Sequence, residues 1–285
     1  MQTIAYLGPP GTFSEEAAIA YASIYEAVHY LPVQSIPAVV TAIETDAAIA
    51  GVLPIENMLE GSVNATLDLL IHETGLRIVG ETVIPIRQYL VARPDLKLTD
   101  VAVLYGHPQS LGQCRKFIER CLPGVTTVAS LSNSAAPVEA LADSRPAAAI
   151  STLRAAEVNG AAILAREIAD NRSNVTRFIA LAQHDAAPTG DDKTSFALSF
   201  QEDRAGILVS VLQVLAQAGI NMTKLESRPT KATLGEYIFL VDIAGHRTDA
   251  PIAQVLEQIE ARSGMFKIFG SYPRWRGTET QQHRP

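Results

Sequence analysis

The chain has 285 residues, 47% of them hydrophobic and 19% charged, with a formal net charge of -7 and two cysteines. That composition excludes wholesale disorder, and the length suggests two domains. The acidic balance argues against nucleic acid or an anionic membrane surface as a partner, although a local cluster of donors can still hold a small anion. No apolar run reaches the ~18 residues of a membrane span, and the start, MQTIAYLG, lacks the basic and apolar regions of a secretory signal. Cys114 and Cys121, roughly 10.5 Å apart along a helix axis, suit neither a disulfide nor a common zinc pattern. A soluble, cytoplasmic protein is expected.

Over the first ~180 residues, short apolar runs alternate with helical patterns. TIAYLG (3–8) reads as a strand, and the loop GPPGTF leads to a helix from Ser14, with Thr12 and Glu15 at capping-box spacing. VHYLPV (28–33) is a second strand, followed by a helix from Ser35 with Pro37 in its first turn. AIAGVLPI (48–55) is a third strand, 62–74 a helix closed by Gly75, and LRIVGETVIPIRQYLVA more strand. A strand at 101–108 meets the helix SLGQCRKFIERC, and a strand (125–130), a helix (134–142) and a strand (147–151) follow. This alternation predicts an α/β region built on a mainly parallel sheet, with ligands at the carboxyl ends of its strands: GPPGTFS, PIEN, GHPQS and the loop near 170–178. HDAAPTGDD (184–192) breaks the pattern and sets the domain boundary. Beyond it the order β-α-β-β-α-β predicts a ferredoxin-like α+β domain, with residues 276–285 as a frayed tail.

Four segments carry candidate chemistry. Glu56 and Asn57 close a buried strand, where a carboxylate and an amide can orient a substrate or manage a proton, or simply form a turn. GHPQS places His107 and Gln109 before a helix, either as a donor cluster or as a capped helix entry. NRSNVTRF gathers Arg172, Asn174, Thr176 and Arg177, a set suited to a carboxylated ligand because guanidinium pairs bidentately with carboxylate. Strand alternation, however, puts Thr176 and Phe178 on one face and Arg177 on the other. GPPGTFS could offer backbone N–H groups to an anion, but it has neither Walker nor GxGxxG spacing.

Taken in order, YLGPPGTFSEEAA, GVLPIENMLEGSVNATLDLL, GHPQSLGQC, NRSNVTRF, AGINMTKLESRP and FGSYPR resemble prephenate dehydratases of the bacterial type with a C-terminal regulatory ACT domain. The likeness spans roughly residues 3–275, and TRF and ESRP are its most diagnostic motifs. Met58 stands where a small hydroxyl residue usually follows PIEN, and Ala218 where histidine often precedes GIN. The resemblance implies a catalytic region (1–183) of two lobes, like a periplasmic binding protein, with the site between them, and an ACT domain at 193–275. It implies conversion of prephenate to phenylpyruvate with loss of CO2 and water, without metal or organic cofactor, by a homodimer or homotetramer. It makes Thr176 the hydrogen-bond donor to the leaving oxygen, with Glu56 or His107 relaying the proton. Asn57, Ser62, Gln109, Asn174 and Arg177 would bind the substrate, and Phe178 would pack beneath it. Gly219, Ile220, Asn221, Glu226, Ser227 and Arg228 would bind the effector L-phenylalanine where two ACT domains meet. Arogenate dehydratase is the nearest rival, and a non-catalytic amino-acid sensor is the alternative of a different class. A fused chorismate mutase is not expected, because no long helical region precedes residue 3.

Overall fold

The computed structural model describes residues 2–202, 204–231 and 236–277. The expected frayed tail falls, from residue 278 onward, outside the described residues.

The first lobe comprises β1 (Gln2–Leu7), α1 (Phe13–Tyr21), β2 (Val28–Val33), α2 (Ile36–Glu44), β3 (Ala50–Asn57), β4 (Gly61–Ser62), α3 (Asn64–Asp68) and β5 (Arg77–Pro85). The second holds β6 (Tyr89–Ala92), β7 (Val103–Gly106), α4 (Pro108–Gln113), α5 (Arg115–Cys121), β8 (Thr126–Ala129), α6 (Ala135–Ala142), β9 (Ala147–Ser151), α7 (Leu153–Asn159) and β10 (Ala162–Ala165). The chain then returns to the first lobe as β11 (Val175–Ala182), so only residues 86–88 and 166–174 cross between the lobes. This is the expected bilobal α/β arrangement.

Caps place the helices as their residue types require. The Ser35 hydroxyl accepts from Ala38 N at 3.3 Å to start α2, and Thr12 accepts from Glu15 N at 3.3 Å to start α1. The capping box is half-made: the Glu15 carboxylate accepts instead from Gly11 N at 2.6 Å, inside the GPPGTF loop. The helix expected at 62–74 starts later, at Asn64, and widens into a π-helical turn over Leu69–Glu73. The helix expected from Ser110 divides at Cys114, where Asp170 accepts from Lys116 N at 3.2 Å and caps α5. Helix α7 and strand β10 were not anticipated. Nor are the sheets mainly parallel. In the first lobe the order is β2-β1-β3-β11-β5, with β11 antiparallel to both neighbours; in the second it is β10-β6-β9-β7-β8, with β6 antiparallel to β9 and β10. The returning strands run against the βαβ units because each enters its sheet from the other lobe.

The C-terminal module consists of β12 (Asp192–Ser199), α8 (Ile207–Gln217), β13 (Met222–Pro229), β14 (Tyr237–Ala244), α9 (Ala250–Glu260) and β15 (Met265–Pro273). Its antiparallel sheet has the order β13-β14-β12-β15, the ferredoxin-like arrangement. One face packs on its own helices, with Phe196, Leu198, Val241 and Ile243 against Val211, Leu215, Val255 and Ile259. The other face joins the core of the first lobe through Ala197, Ile238, Leu240, Phe269 and Tyr272. Strand β15 comes so close to β5 that a Cβ on Gly270 would overlap the Ile78 backbone. No helix among the described residues is long and apolar enough to cross a membrane.

Candidate active site

Strand β11 is hydrogen-bonded on both edges, to β3 and to β5, so its pleat is fixed. Thr176 and Phe178, 7% and 2% exposed, therefore turn toward the cleft between the lobes. Asn57, at the end of β3, lies directly opposite Thr176 in the ladder. Its Oδ1 accepts from Leu59 N at 2.9 Å and Glu60 N at 3.0 Å, which closes the turn after PIEN and fixes the amide's orientation. Its Nδ2 then donates to Thr176 Oγ1 at 2.8 Å and to Asn174 Oδ1 at 3.0 Å. With its oxygen occupied as an acceptor, the Thr176 hydroxyl has its own proton free for a group in the cleft.

That cleft is a cavity of about 290 Å³ drawn from both lobes. The first lobe contributes Phe13, Asn57, Glu60, Ser62, Thr176 and Phe178; the crossings and the second lobe contribute Gln88, Asn174, Gln109, Ser110, Gln113 and Asn133. Ser110 Oγ donates to Asn133 Oδ1 at 2.6 Å, and Gln88 Nε2 reaches Ser110 Oγ at 3.4 Å. The lining contains no lysine or arginine and one carboxylate, Glu60. It offers a bound anion neutral amide groups and the Thr176 hydroxyl.

The predicted residues divide between two faces of the sheet. Asn57, Ser62, Gln109, Asn174, Thr176 and Phe178 line the cavity together. Arg177 does not: the alternation that turns Thr176 inward turns Arg177 outward. Its Nη1 lies 3.0 Å from Asp242 and 3.2 Å from Glu81, and its Nη2 lies 3.2 Å from Glu56. Burial opposes the charge, but Asp242, Tyr272, Glu81 and Glu56 around it hold the guanidinium protonated, with its pKa above the ordinary value. Glu56 shares this outward cluster, paired also with Lys224 at 3.3 Å, so it is placed against the C-terminal module and not in the cavity. His107 caps α4, its Nδ1 accepting from Gln109 N at 3.3 Å, and is absent from the cavity lining. The Gly11 N–H, expected to be open to an anion, is taken by Glu15. Gln88, Gln113, Asn133 and Phe13 escaped the sequence reading. The structure buries Gln88 to 1% exposure, which no feature of the sequence around it records.

A family model described as prephenate dehydratase matches residues 4–186, and one described as ACT domain matches 197–261. The chain belongs to the prephenate dehydratase family. A bifunctional chorismate mutase/prephenate dehydratase of Neisseria gonorrhoeae is 42% identical over 272 residues, 95% of this chain and 74% of the relative. The prephenate dehydratase of Arthrobacter aurescens, solved in complex with L-Phe, superposes with a TM-score of 0.86 at 36% identity, covering 95% of this chain and 90% of that one. GqqA, described as a novel type of quorum quenching acylases, superposes with a TM-score of 0.85 at 30% identity over 96% of this chain and 98% of that one. Family, fold class and enzyme class are thus those the ordered motifs led us to expect, a decarboxylating dehydratase with an ACT module.

The expected effector residues also divide. Gly219, Ile220 and Asn221 follow α8, with Gly219 at a φ of 67° and both Gly219 and Asn221 exposed. Ser227 is exposed on β13, an edge strand of the ACT sheet. Glu226 and Arg228, by contrast, reach the first lobe. Glu226 accepts from Ser62 Oγ at 2.6 Å, and Arg228 donates to Asn64 Oδ1 at 2.7 Å and Asp68 Oδ1 at 2.9 Å.

Proposed function

We propose that the inter-lobe cleft converts prephenate to phenylpyruvate, carbon dioxide and water, and that Thr176, oriented by Asn57, hydrogen-bonds the departing hydroxyl. The Asn57–Thr176 contact at 2.8 Å is the observation that carries this reading. Loss of the ring carboxylate and the 4-hydroxyl makes the product aromatic, so the driving force lies in the substrate. The protein has to hold the dianion and stabilise the leaving oxygen. A threonine hydroxyl is a poor acid but a good hydrogen-bond donor, which suits that limited task. Gln109 and Asn174 supply neutral donors for the carboxylates, Ser62 adds its own when Glu226 releases its proton, and Phe178 forms the floor beneath the ring. Arg177 and Glu56 we assign to docking the ACT module; with His107 capping α4, none of the three serves the proton.

Feedback by L-phenylalanine fits the ACT module, with Gly219, Ile220, Asn221 and Ser227 forming the site where two modules meet edge to edge. The open β13 edge and the L-Phe complex of the Arthrobacter relative support this. The same reading implies a homodimer or homotetramer located in the cytoplasm. Phenylpyruvate formation from purified prephenate, with and without L-phenylalanine, is the test. Suppressible turnover is expected. Turnover of arogenate alone would shift the substrate, and hydrolysis of an N-acyl amide without dehydration would place the chain with the acylase relative.

A further inference from the structure

Ser62 stands at a boundary. One side of its short strand β4 lines the cavity, and the other meets β13 of the ACT module. Its hydroxyl donates to Glu226 Oε2 at 2.6 Å, while Lys224 Nζ donates to the Ser62 Oγ at 3.5 Å. Lys224 also pairs with Glu226 at 3.2 Å and with Glu56 at 3.3 Å, and neither Lys224 nor Glu226 is more than a quarter exposed. We propose that Glu226 sets substrate affinity by competing with the substrate for the Ser62 proton. This rests on the reading of the cleft as a prephenate site.

The argument is one of donor counting. A serine hydroxyl has a single proton. While a carboxylate holds it, in a charge-assisted bond of short length, Ser62 shows the cavity only lone pairs. Prephenate's carboxylates and ketone are acceptors, so those lone pairs repel what the site has to hold. The lining has no lysine or arginine to compensate, and the loss of one neutral donor is therefore felt. When Glu226 withdraws, the hydroxyl can turn to a substrate carboxylate, and Lys224 remains beside its oxygen to polarise it. A displacement of β13 thus changes the number of donors in the cleft without moving the cleft's own backbone. Docking of β13 is held separately, by Arg228 on Asn64 and Asp68 and by Lys231 on Asp68 at 2.6 Å.

Glu226 is in these terms a positioning residue, and steady-state kinetics on the full chain test it. Glu226→Ala is expected to lower the prephenate KM about fivefold with kcat within about twofold, and Glu226→Gln to lower it by less. In a Ser62→Ala background the same change leaves KM unmoved, whereas in Ser62→Thr, which keeps the hydroxyl, the response persists. Asp68→Asn, which loosens the docking of β13 through Arg228 and Lys231, lowers KM in the same direction, and does so only where residue 62 keeps its hydroxyl. An unchanged or raised KM in Glu226→Ala overturns the inference, as does an equal fall in the Ser62→Ala background, which would indicate bulk electrostatics. Wild-type protein that leaves prephenate untouched overturns the substrate reading and this inference with it; turnover with an unresponsive KM overturns this inference alone.

Discussion

Asn57 Nδ2 donates to Thr176 Oγ1 at 2.8 Å across 119 residues of sequence, and this one bond fixes which way the threonine proton points. Thr176→Ala is expected to lower kcat by about 10²–10³, the range for loss of a single donor to a developing oxyanion. Thr176→Ser, which keeps the hydroxyl, should stay within about tenfold of wild type. Asn57→Asp is the sharper probe: it replaces the donor with an acceptor that captures the threonine proton, so kcat should fall as far as in Thr176→Ala. Rates measured at saturating prephenate decide the matter, and an active Asn57→Asp enzyme would remove the proposed role of the pair.

Arg177 is expected to govern stability rather than chemistry. Glu81, 2% exposed at its side chain, receives Arg177 at 3.2 Å and Lys193 at 2.9 Å, and Asp242 receives Arg177 together with the Ser195 hydroxyl at 2.6 Å. Arg177→Met leaves buried carboxylates short of a partner, which costs about 3–5 kcal/mol. Denaturant unfolding should register that loss, while the prephenate KM of the folded fraction stays close to wild type. A large KM increase without a stability change would return Arg177 to the substrate.

The lobes meet at Gly11, whose φ is 88° and whose missing Cβ would lie 2.8 Å from Ala155 Cα. Thr152 Oγ1 donates to Gly11 O at 2.7 Å, and Arg154 pairs with Glu15 at 3.1 Å across the same seam. Gly11→Ala brings both backbone strain and an overlap with α7, a combined loss of about 2–4 kcal/mol. Because the overlap opens the seam, KM should rise as well. A thermal melt paired with a substrate titration reads both effects.

Glu16 gives the fold a pH dependence. Burial pushes its carboxyl up to about 7, with Glu15 and Glu157 adding to the effect against the Arg154 backbone N–H and guanidinium. A raised carboxyl pKa means that the folded state holds its proton longer than the unfolded chain. Stability on this account falls as pH rises from the unfolded carboxyl value toward 7, and is flat above it. Glu16→Gln removes the penalty: it should be neutral near pH 4 and stabilising by about 1–3 kcal/mol at pH 8. Equal stabilisation at both pH values would assign the gain to packing.

The limits of legibility follow from what is local. The pleat of 175–178 was readable from the residues alone, and it already set Thr176 and Arg177 on opposite faces; the structure adds that Arg177 has an ionic nest waiting on its side. Ser35, Thr12 and the β-α-β-β-α-β order were equally local and legible. Gln88 and Asn133 were not, because nothing in IRQYL or LSNS records that two crossings bring them against Thr176's strand. The π-turn at Leu69–Glu73 was hidden for a similar reason: its carbonyls at Ile71 and nearby Thr74 are met by Lys267 Nζ, at 3.1 and 2.8 Å, from the far end of the chain.

Every bond between the catalytic region and the ACT module traced above ends on the first lobe: Ser62, Asn64, Asp68, Glu56, Glu81, Arg177, Ile71 and Thr74. The second lobe is tied to that assembly by its two crossings and by the seam at Gly11. The molecule is accordingly built as a heavy base, first lobe fused with ACT sheet, carrying a lighter jaw. Among the described residues, no bond traced above gives a signal at the ACT edge a direct lever on the jaw. Its direct route runs through the tooth row of the base, which is where Ser62 sits, so an effector should change how tightly the jaw's prey is held before it changes how fast the jaw shuts.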